Sequence, residues 1–262
     1  MRISFIGSGN VATHLALAMF NRGHVIDQIW SRSLSYAKLL ANRVQAEPIN
    51  DFSQLRTSAY VYILAISDDA LYDVTPNLHL GDALVLHTSG ATPAEVLKTT
   101  SSRYGVLWSP QTFVRDVALD YGELPFCIEG NTQQTEADIA ELIGMISSHI
   151  YLANFEQRQY LHLSAVLVSN FTNCLYGMAQ QICGMHGIPF EILHPIIATT
   201  AQKVRWGDVR YQVTGPAARK DRGTLDAHRA LLADDHQLLK IYNEFTRLIQ
   251  TRMKVNQVGG HD

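Results

Sequence analysis

Apolar residues along the first part of the chain fall in short runs that helical patterns separate. The runs cover residues 1–6, 24–31, 59–66, 83–87, 104–108, 125–129 and 149–152. Short runs rich in β-branched and aromatic residues are typical of buried strands. Helical patterns occupy residues 11–20, 33–43 and 135–147. Because strands alternate with helices, we predict a doubly wound α/β domain of the Rossmann type.

The pattern changes after about residue 153, where the apolar spacing becomes helical. We predict three helices, over residues 156–186, 189–206 and 224–253. The fold class is therefore an α/β domain, residues 1–153, followed by an all-helical domain, residues 154–262. Ligands of doubly wound sheets bind beyond the carboxyl ends of the strands, and a second domain can close over them there.

The composition of the chain argues against nucleic acid and membranes as binding partners. The formal net charge is −3, which provides no long-range field for nucleic acid or anionic lipid. No apolar run reaches the ~18 residues of a membrane span, and the first residues lack the features of a signal peptide. The three cysteines form neither a CxxC motif nor a disulfide framework, and we take them as small core residues. We expect a cytoplasmic protein that binds neither nucleic acid nor membranes and holds no metal.

A glycine-rich turn joins the first strand to the first helix. In Gly7-x-Gly9-x-x-Ala12, the first glycine permits the tight turn and the second lets a pyrophosphate approach the backbone. Ala12 is small enough for close packing of the helix on the strands. The free N–H groups of the helix then point at the phosphates. We predict that the residues holding the pyrophosphate are Gly7, Ser8, Gly9, Asn10 and Val11.

The end of the second strand selects the cofactor. NAD-binding proteins usually place an acidic residue there to hold the ribose 2′-hydroxyl, whereas this chain has Ser31-Arg32-Ser33. Asp27 comes too early, inside the strand. A guanidinium between two hydroxyls suits a dianionic 2′-phosphate. We therefore predict NADP rather than NAD; an exposed arginine at a helix start is the alternative.

Three later loops follow strands that should end at the same edge of the sheet, and the third covers residues 109–113. We predict cofactor contacts near the nicotinamide from Ile66, Ser67, Asp68, Thr88, Ser89 and Gly90. The alternative for Asp68 and Asp69 is helix capping, and for the second loop a strand-to-helix turn of small polar residues.

The helical half offers two candidate substrate features. His162, Asn170 and Asn173 lie at helical spacing on a helix that is otherwise apolar and that we expect to be buried. They form a substrate-facing wall or, alternatively, pair within the core or at a dimer contact. Arg219 belongs to a basic segment, 214–222, that suits an anion such as a substrate carboxylate; a solvated interhelical loop is the alternative.

Several motifs together carry a family resemblance. GSGNVA, SRS, SDDAL, HTSG, SNFTN and TGPAARKD, with His228 downstream, resemble the two-domain Rossmann-like proteins with a C-terminal domain of unknown function 2520. That group is similar in architecture to pyrroline-5-carboxylate reductase and F420-dependent NADP oxidoreductases, and more distantly to 6-phosphogluconate and β-hydroxyacid dehydrogenases. The resemblance implies an NADP-binding Rossmann domain, a helical dimerisation domain and an oxidoreductase activity.

One departure from the wider superfamily limits the chemistry. β-Hydroxyacid dehydrogenases carry a catalytic lysine on the long interdomain helix, whereas residues 151–202 of this chain contain no lysine. Either His162 transfers the proton or the substrate needs little acid catalysis, as for an imine that is already protonated. We expect a homodimer that transfers hydride from NADPH to a small imine or carbonyl substrate. The alternatives are a non-catalytic NADP-binding sensor and reduction by a deazaflavin.

Overall fold

A computed structural model describes residues 1–252 of the chain. The residues form two compact units, of which the first is Met1–Phe171 and the second begins at Thr172. The domain boundary expected at residue 153 stays a prediction, since the first unit extends beyond it. Within the described residues, helices that combine the length and the apolar character needed to cross a membrane are absent.

The first unit contains one sheet flanked by helices. Across residues 1–252, eight strands pair in the order β3-β2-β1-β4-β5-β6-β7-β8. The strands are β1 Arg2–Ile6, β2 Val25–Trp30, β3 Glu47–Ile49, β4 Val61–Leu64, β5 Leu84–His87, β6 Arg103–Trp108, β7 Phe126–Gly130 and β8 Ile150–Leu152. The helices of this unit are α1 Asn10–Asn21, α2 Leu34–Val44, α3 Asp68–Val74, α4 Gln133–Gly144 and α5 Phe155–Val166.

Strand pairing confirms the predicted fold class and adds two details. Strands β1 to β6 are parallel. Strand β7 runs antiparallel to β6, and β8 is parallel to β7. The connection from β6 to β7 has only a short 3-10 turn, so it lacks the helical crossover that usually returns a chain to a parallel position. Strand β3 was not predicted, because a three-residue edge strand containing Pro48 has no apolar run.

The core explains why the first unit is doubly wound. Along β4, Val61 and Ile63 pack in the cluster beneath α1 and α2, whereas Tyr62 and Leu64 pack in the cluster on the opposite face. Successive strand residues point to opposite faces, so both faces of the central strands are covered. Because β1, β2, β4, β5 and β6 are parallel, their carboxyl ends meet at one edge of the sheet.

The second unit is helical. Its helices are α6 Thr172–Met185, α7 His194–Lys203, α8 Pro216–Arg219, α9 Arg222–Leu231 and α10 His236–Arg252. The single helical stretch predicted over 156–186 is confirmed, because α5, a π turn over Leu167–Phe171 and α6 follow one another without an intervening coil residue. The helix predicted over 224–253 is wrong as one element. It breaks at residues 232–235, and its expected end at Met253 lies outside the described residues.

The burial expected for the long helical stretch is wrong within the single chain. Leu163 and Phe171 are each 56% exposed and Val168 is 75% exposed. Helical periodicity identifies an apolar side of a helix but says nothing about what covers it. The cysteines also differ from expectation, since Cys174 is exposed whereas Cys127 and Cys183 are buried.

Candidate functional site

The turn between β1 and α1 depends on its two glycines in different ways. Gly7 has a φ of 120°, and a Cβ on it would collide with the carbonyl oxygen of Ala65. A Cβ on Gly9 would meet no protein atom within 4 Å. The chain itself therefore requires Gly7, whereas Gly9 leaves open space above the start of α1.

The N-terminus of α1 is suited to an anion. Gly9 is the N-cap residue and offers no side chain to the first turn. The first N–H groups of a helix have no acceptor within the helix, and the helix dipole adds partial positive charge there. A phosphate beside Gly9 would find unoccupied donors in the region where our sequence analysis places the pyrophosphate.

One cavity of about 670 Å³ opens above this turn. It brings together twelve of the fourteen residues predicted to bind the cofactor: Gly7, Ser8, Gly9, Asn10, Val11, Ser31, Arg32, Ile66, Ser67, Asp68, Thr88 and Ser89. We call it the glycine-loop cavity. Gln111 and Phe113, from the loop after β6, also line it, together with Trp30, Tyr36 and Arg115, to which no sequence motif pointed.

The remaining two predicted residues, Ser33 and Gly90, are outside the lining of this cavity. The Ser33 hydroxyl hydrogen-bonds the Ser35 hydroxyl at 2.7 Å. Gly90 lies against Trp108, and a Cβ added to it would be 2.7 Å from the indole ring. Packing within the protein thus accounts for Gly90 without a ligand.

At the end of β2, two of the three residues predicted to hold the 2′-phosphate, Ser31 and Arg32, line the glycine-loop cavity. The Ser8 hydroxyl donates to the Ser31 hydroxyl at 3.0 Å, which joins the glycine turn to the end of β2. Asp27 is paired with Arg2 at 3.3 Å and Arg56 at 3.1 Å. It therefore neutralises those cations and is not part of the cavity lining. Arg32 is exposed and has no ion pair among residues 1–252.

Residues of the loops after β4 and β5 line the glycine-loop cavity, and some of them also stabilise the local backbone. Helix α3 begins at Asp68 with Ser67 as N-cap, and neither Asp68 nor Asp69 caps it, so the capping role considered for them is wrong. Their carboxylates lie in the first turn of α3, where they interact favourably with the helix dipole. The Ser89 hydroxyl donates to Thr92 Oγ1 at 2.9 Å and accepts from the Thr92 N–H at 2.9 Å. This bonding matches the turn alternative for Ser89.

The segment between β6 and β7, residues 109–125, folds back onto α1; we call it the strap. Asn10 Nδ2 donates to the Phe113 carbonyl at 2.9 Å. His14 bonds the Val114 carbonyl through Nε2 at 2.8 Å and the Tyr121 hydroxyl through Nδ1 at 2.9 Å. The Asn10 side chain is thus used to hold the strap, which leaves its backbone N–H for a ligand.

A second cavity of about 290 Å³ lies between the end of β6 and α5 with its π turn. We call it the Trp108 cavity. His162 meets Trp108 edge-on with ring centroids 5.8 Å apart, and Thr112 Oγ1 lies 3.1 Å from Ser169 Oγ. Asn170 also lines it. Two of the four predicted catalytic residues, His162 and Asn170, therefore share one cavity of the first unit.

The other two predicted catalytic residues, Asn173 and Arg219, belong to the second unit. Asn173 is in the first turn of α6, and Arg219 ends the short helix α8; both are exposed. Among the described residues, no group of three His, Cys, Asp or Glu side chains is placed to hold a metal ion.

A buried polar cluster lies below the edge of the sheet. Arg158 is fully buried, pairs with Glu129 and donates to the Thr92 carbonyl at 2.7 Å. Burial, with the nearby charge of Arg158, lowers the pKa of His87 to about 3. His87 is therefore neutral at physiological pH, and its Nδ1 accepts from the Ser89 N–H at 3.1 Å. The cluster holds the Thr88–Thr92 loop against the start of α5.

Known proteins resemble the chain over nearly all of its length. A provisionally assigned NADP oxidoreductase from Bacteroides fragilis is 34% identical, with a TM-score of 0.90 over 96% of this chain and 98% of that one. An imine reductase from Streptomyces aurantiacus is 15% identical, with a TM-score of 0.67 over 97% and 96%. A reductive aminase from Aspergillus terreus, solved with NADPH and ethyl-5-oxohexanoate, is 16% identical, with a TM-score of 0.64 over 100% and 96%. The last two show similarity of fold alone.

Two family models divide the chain between them. Residues 1–108 match a Rossmann-like domain, and residues 124–249 match a domain of unknown function, DUF2520. No protein of curated function matches the sequence. The chain therefore belongs to the family of two-domain proteins in which a Rossmann-like domain precedes a domain of unknown function 2520.

Proposed function

We propose that the protein is an NADP-dependent oxidoreductase that transfers hydride from NADPH to a small imine or carbonyl substrate. The glycine-loop cavity carries the proposal, because it joins an open helix N-terminus at one end to Ser31 and Arg32 at the other. A protein 34% identical to this chain is provisionally assigned as an NADP oxidoreductase, and a reductive aminase of the same fold was solved with NADPH.

Binding follows from the groups that line this cavity. The first turn of α1 would hold the pyrophosphate, and the Arg32 guanidinium with the Ser31 hydroxyl would hold the 2′-phosphate. Thr88 and Gln111, which follow β5 and β6, line the same cavity and would face the nicotinamide. The bound cofactor would supply the hydride, while the protein supplies position and electrostatics.

The Trp108 cavity is our candidate for the substrate position. None of the described side chains that line it is a carboxylate, an ammonium or a guanidinium, and His162 is its one titratable group. A neutral lining with one imidazole suits an imine or carbonyl that needs at most a single proton. Two proteins with this fold are an imine reductase and a reductive aminase, which supports a carbon–nitrogen double bond as the reducible group. Asn173 and Arg219 stay proposed substrate contacts from the second unit.

The first experiment concerns the cofactor. Arg32→Asp should raise the Kd for NADPH by tenfold or more and change the Kd for NADH much less, because charge-assisted bonds to phosphate are worth about 1.5–3 kcal/mol. Titration of the purified protein with each cofactor measures both constants. Arg22→Asp, at the C-terminal end of α1, is the matched control for the same reversal of charge. Equal weakening of both cofactors would contradict the assignment of Arg32.

The second experiment separates an enzyme from a sensor. Consumption of NADPH, followed by the absorbance of the reduced nicotinamide, is measured against imines, ketoacids and aldehydes. Turnover above background supports the oxidoreductase. Tight binding of NADPH without turnover on any substrate favours a non-catalytic sensor. The observation that supports a sensor is the absence of lysine from residues 151–202. Turnover only with reduced deazaflavin would identify the third alternative.

We also propose that the protein is a homodimer. Apolar side chains are exposed on the helices of each unit, including Leu163 and Phe171 in the first and Ile192 and Ile196 in the second. Large apolar side chains exposed on several helices are a feature of surfaces that bind another protein. A second copy of the chain is the partner implied by the family resemblance.

A further inference from the structure

Arg115, in the strap, places a cation beside the glycine turn. Its Nη2 donates to the Ser8 carbonyl at 3.0 Å, although the two residues are 107 positions apart in the chain. Arg115 lines the glycine-loop cavity with Arg32. Its Nε is buried and has no hydrogen-bond partner. No carboxylate pairs with Arg115 in the described part of the chain.

Ser8 connects Arg115 to the end of β2. The Ser8 carbonyl accepts from Arg115, and the Ser8 hydroxyl donates to Ser31 at 3.0 Å. Arg115 and Tyr36 also line a neighbouring cavity of about 200 Å³ beside α2. The guanidinium of Arg115 is therefore on the α2 side of the glycine turn, the side that also presents Ser31 and Arg32.

A partly buried cation without a counter-ion is an unfavourable arrangement unless an anion binds to it. A phosphate monoester carries about two negative charges and three acceptor oxygens, so it can accept from two guanidinium groups at once. Nη1 and Nη2 of an arginine donate in a planar fork that fits such a group.

We propose that Arg115 binds the 2′-phosphate of the cofactor together with Arg32, so that the strap takes part in selecting NADP. This inference rests on the proposed cofactor site. The competing explanation is that Arg115 only fastens the strap to the glycine turn. A fastening role would affect every ligand of the turn equally, whereas a 2′-phosphate contact would affect only ligands that carry that group.

Two cofactor fragments separate these explanations. Adenosine 2′,5′-bisphosphate and adenosine 5′-monophosphate differ only in the 2′-phosphate. By calorimetric titration, we expect Arg115→Ala to weaken the bisphosphate about tenfold or more and the monophosphate less than about twofold. Arg115→Lys, which keeps the charge and loses the fork, should show an intermediate loss. Arg22→Ala is the control. Thermal unfolding of each variant reports folding, and Arg115→Gln replaces Arg115→Ala if the latter does not fold.

The outcomes distinguish the inference from the proposal on which it depends. Equal losses for both fragments, or no loss for either, would overturn the role of Arg115 and leave the cofactor site in place. If the unmodified protein prefers neither the bisphosphate over the monophosphate nor NADPH over NADH, both the inference and the proposed NADP site are wrong. A loss confined to the bisphosphate supports the inference.

Discussion

At the scale of single residues, the two glycines of the first turn should respond differently to alanine. Gly7→Ala places a Cβ against the Ala65 carbonyl at a φ of 120°, so we expect the free energy of unfolding to fall by about 2 kcal/mol or more. Gly9→Ala adds a methyl group where the chain leaves space, so stability should change little. That methyl group would occupy the approach of the pyrophosphate, and NADPH should bind at least about tenfold more weakly.

Denaturant unfolding and cofactor titration of the two variants test this difference. Gly7→Ala should lose stability and binding together, whereas Gly9→Ala should lose binding alone. Unchanged NADPH affinity in a folded Gly9→Ala protein would contradict the position of the pyrophosphate. It would leave the steric account of Gly7 untouched, because that account depends only on atoms of the chain.

His87 makes the stability of the protein depend on pH. Burial and the charge of Arg158 lower its pKa from 6.5 to about 3. Between these two pH values the unfolded chain therefore binds a proton at His87 and the folded chain does not. The stabilisation is present above pH 6.5 and is lost as pH falls from 6.5 towards 3. Between pH 7 and pH 5 we expect a loss of about 2 kcal/mol from this residue.

His87→Asn removes the titration while keeping an acceptor for the Ser89 N–H. Urea unfolding at pH 7 and pH 5 should therefore show a smaller fall in unfolding free energy for the variant than for the unmodified protein. His79→Asn, for which no comparable burial exists, serves as the control. The same pH dependence in all three proteins would show that His87 does not control it.

At the scale of elements, local sequence patterns were sufficient for most of the first unit. Seven strands and the helices between them follow from apolar periodicity, because the sheet buries both faces of its central strands. The break at residues 232–235 and the π turn after Val166 have no comparable pattern. Both depend on hydrogen bonds and packing that periodicity does not encode.

The same contrast divides the candidate site. The cofactor half of the prediction came from short motifs at strand ends, and parallel pairing carried most of those residues into one cavity. Arg115 was missed because its contact with Ser8 spans 107 positions and no local pattern predicts where a 17-residue connection will fold. The polar stripe was assigned from ideal helix spacing. A π turn rotates the residues after Val166 relative to those before it, so spacing alone could not place Asn173 with His162.

For the molecule as a whole, the proposed homodimer can be tested by substituting a residue of the exposed apolar helical surface. Leu163 on α5 and Tyr72 on α3 are equally exposed, each at 56%, but only Leu163 belongs to the apolar helical surface. Leu163→Glu should convert a dimer to a monomer, because a carboxylate would be buried without a partner in the contact. Tyr72→Glu should leave the dimer intact, since substitutions at solvent-exposed positions usually change stability by less than about 0.5 kcal/mol.

Light scattering after gel filtration measures the mass of each species directly. The unmodified protein and Tyr72→Glu should show twice the mass of the chain, and Leu163→Glu should show a single chain mass. A monomer before any substitution would make the dimer proposal wrong and would leave the exposed apolar helices to another partner. Because the glycine-loop cavity lies entirely within the first unit, NADPH affinity should persist in the Leu163→Glu monomer. A loss of turnover with retained affinity would then show that the substrate half of the site needs the second copy.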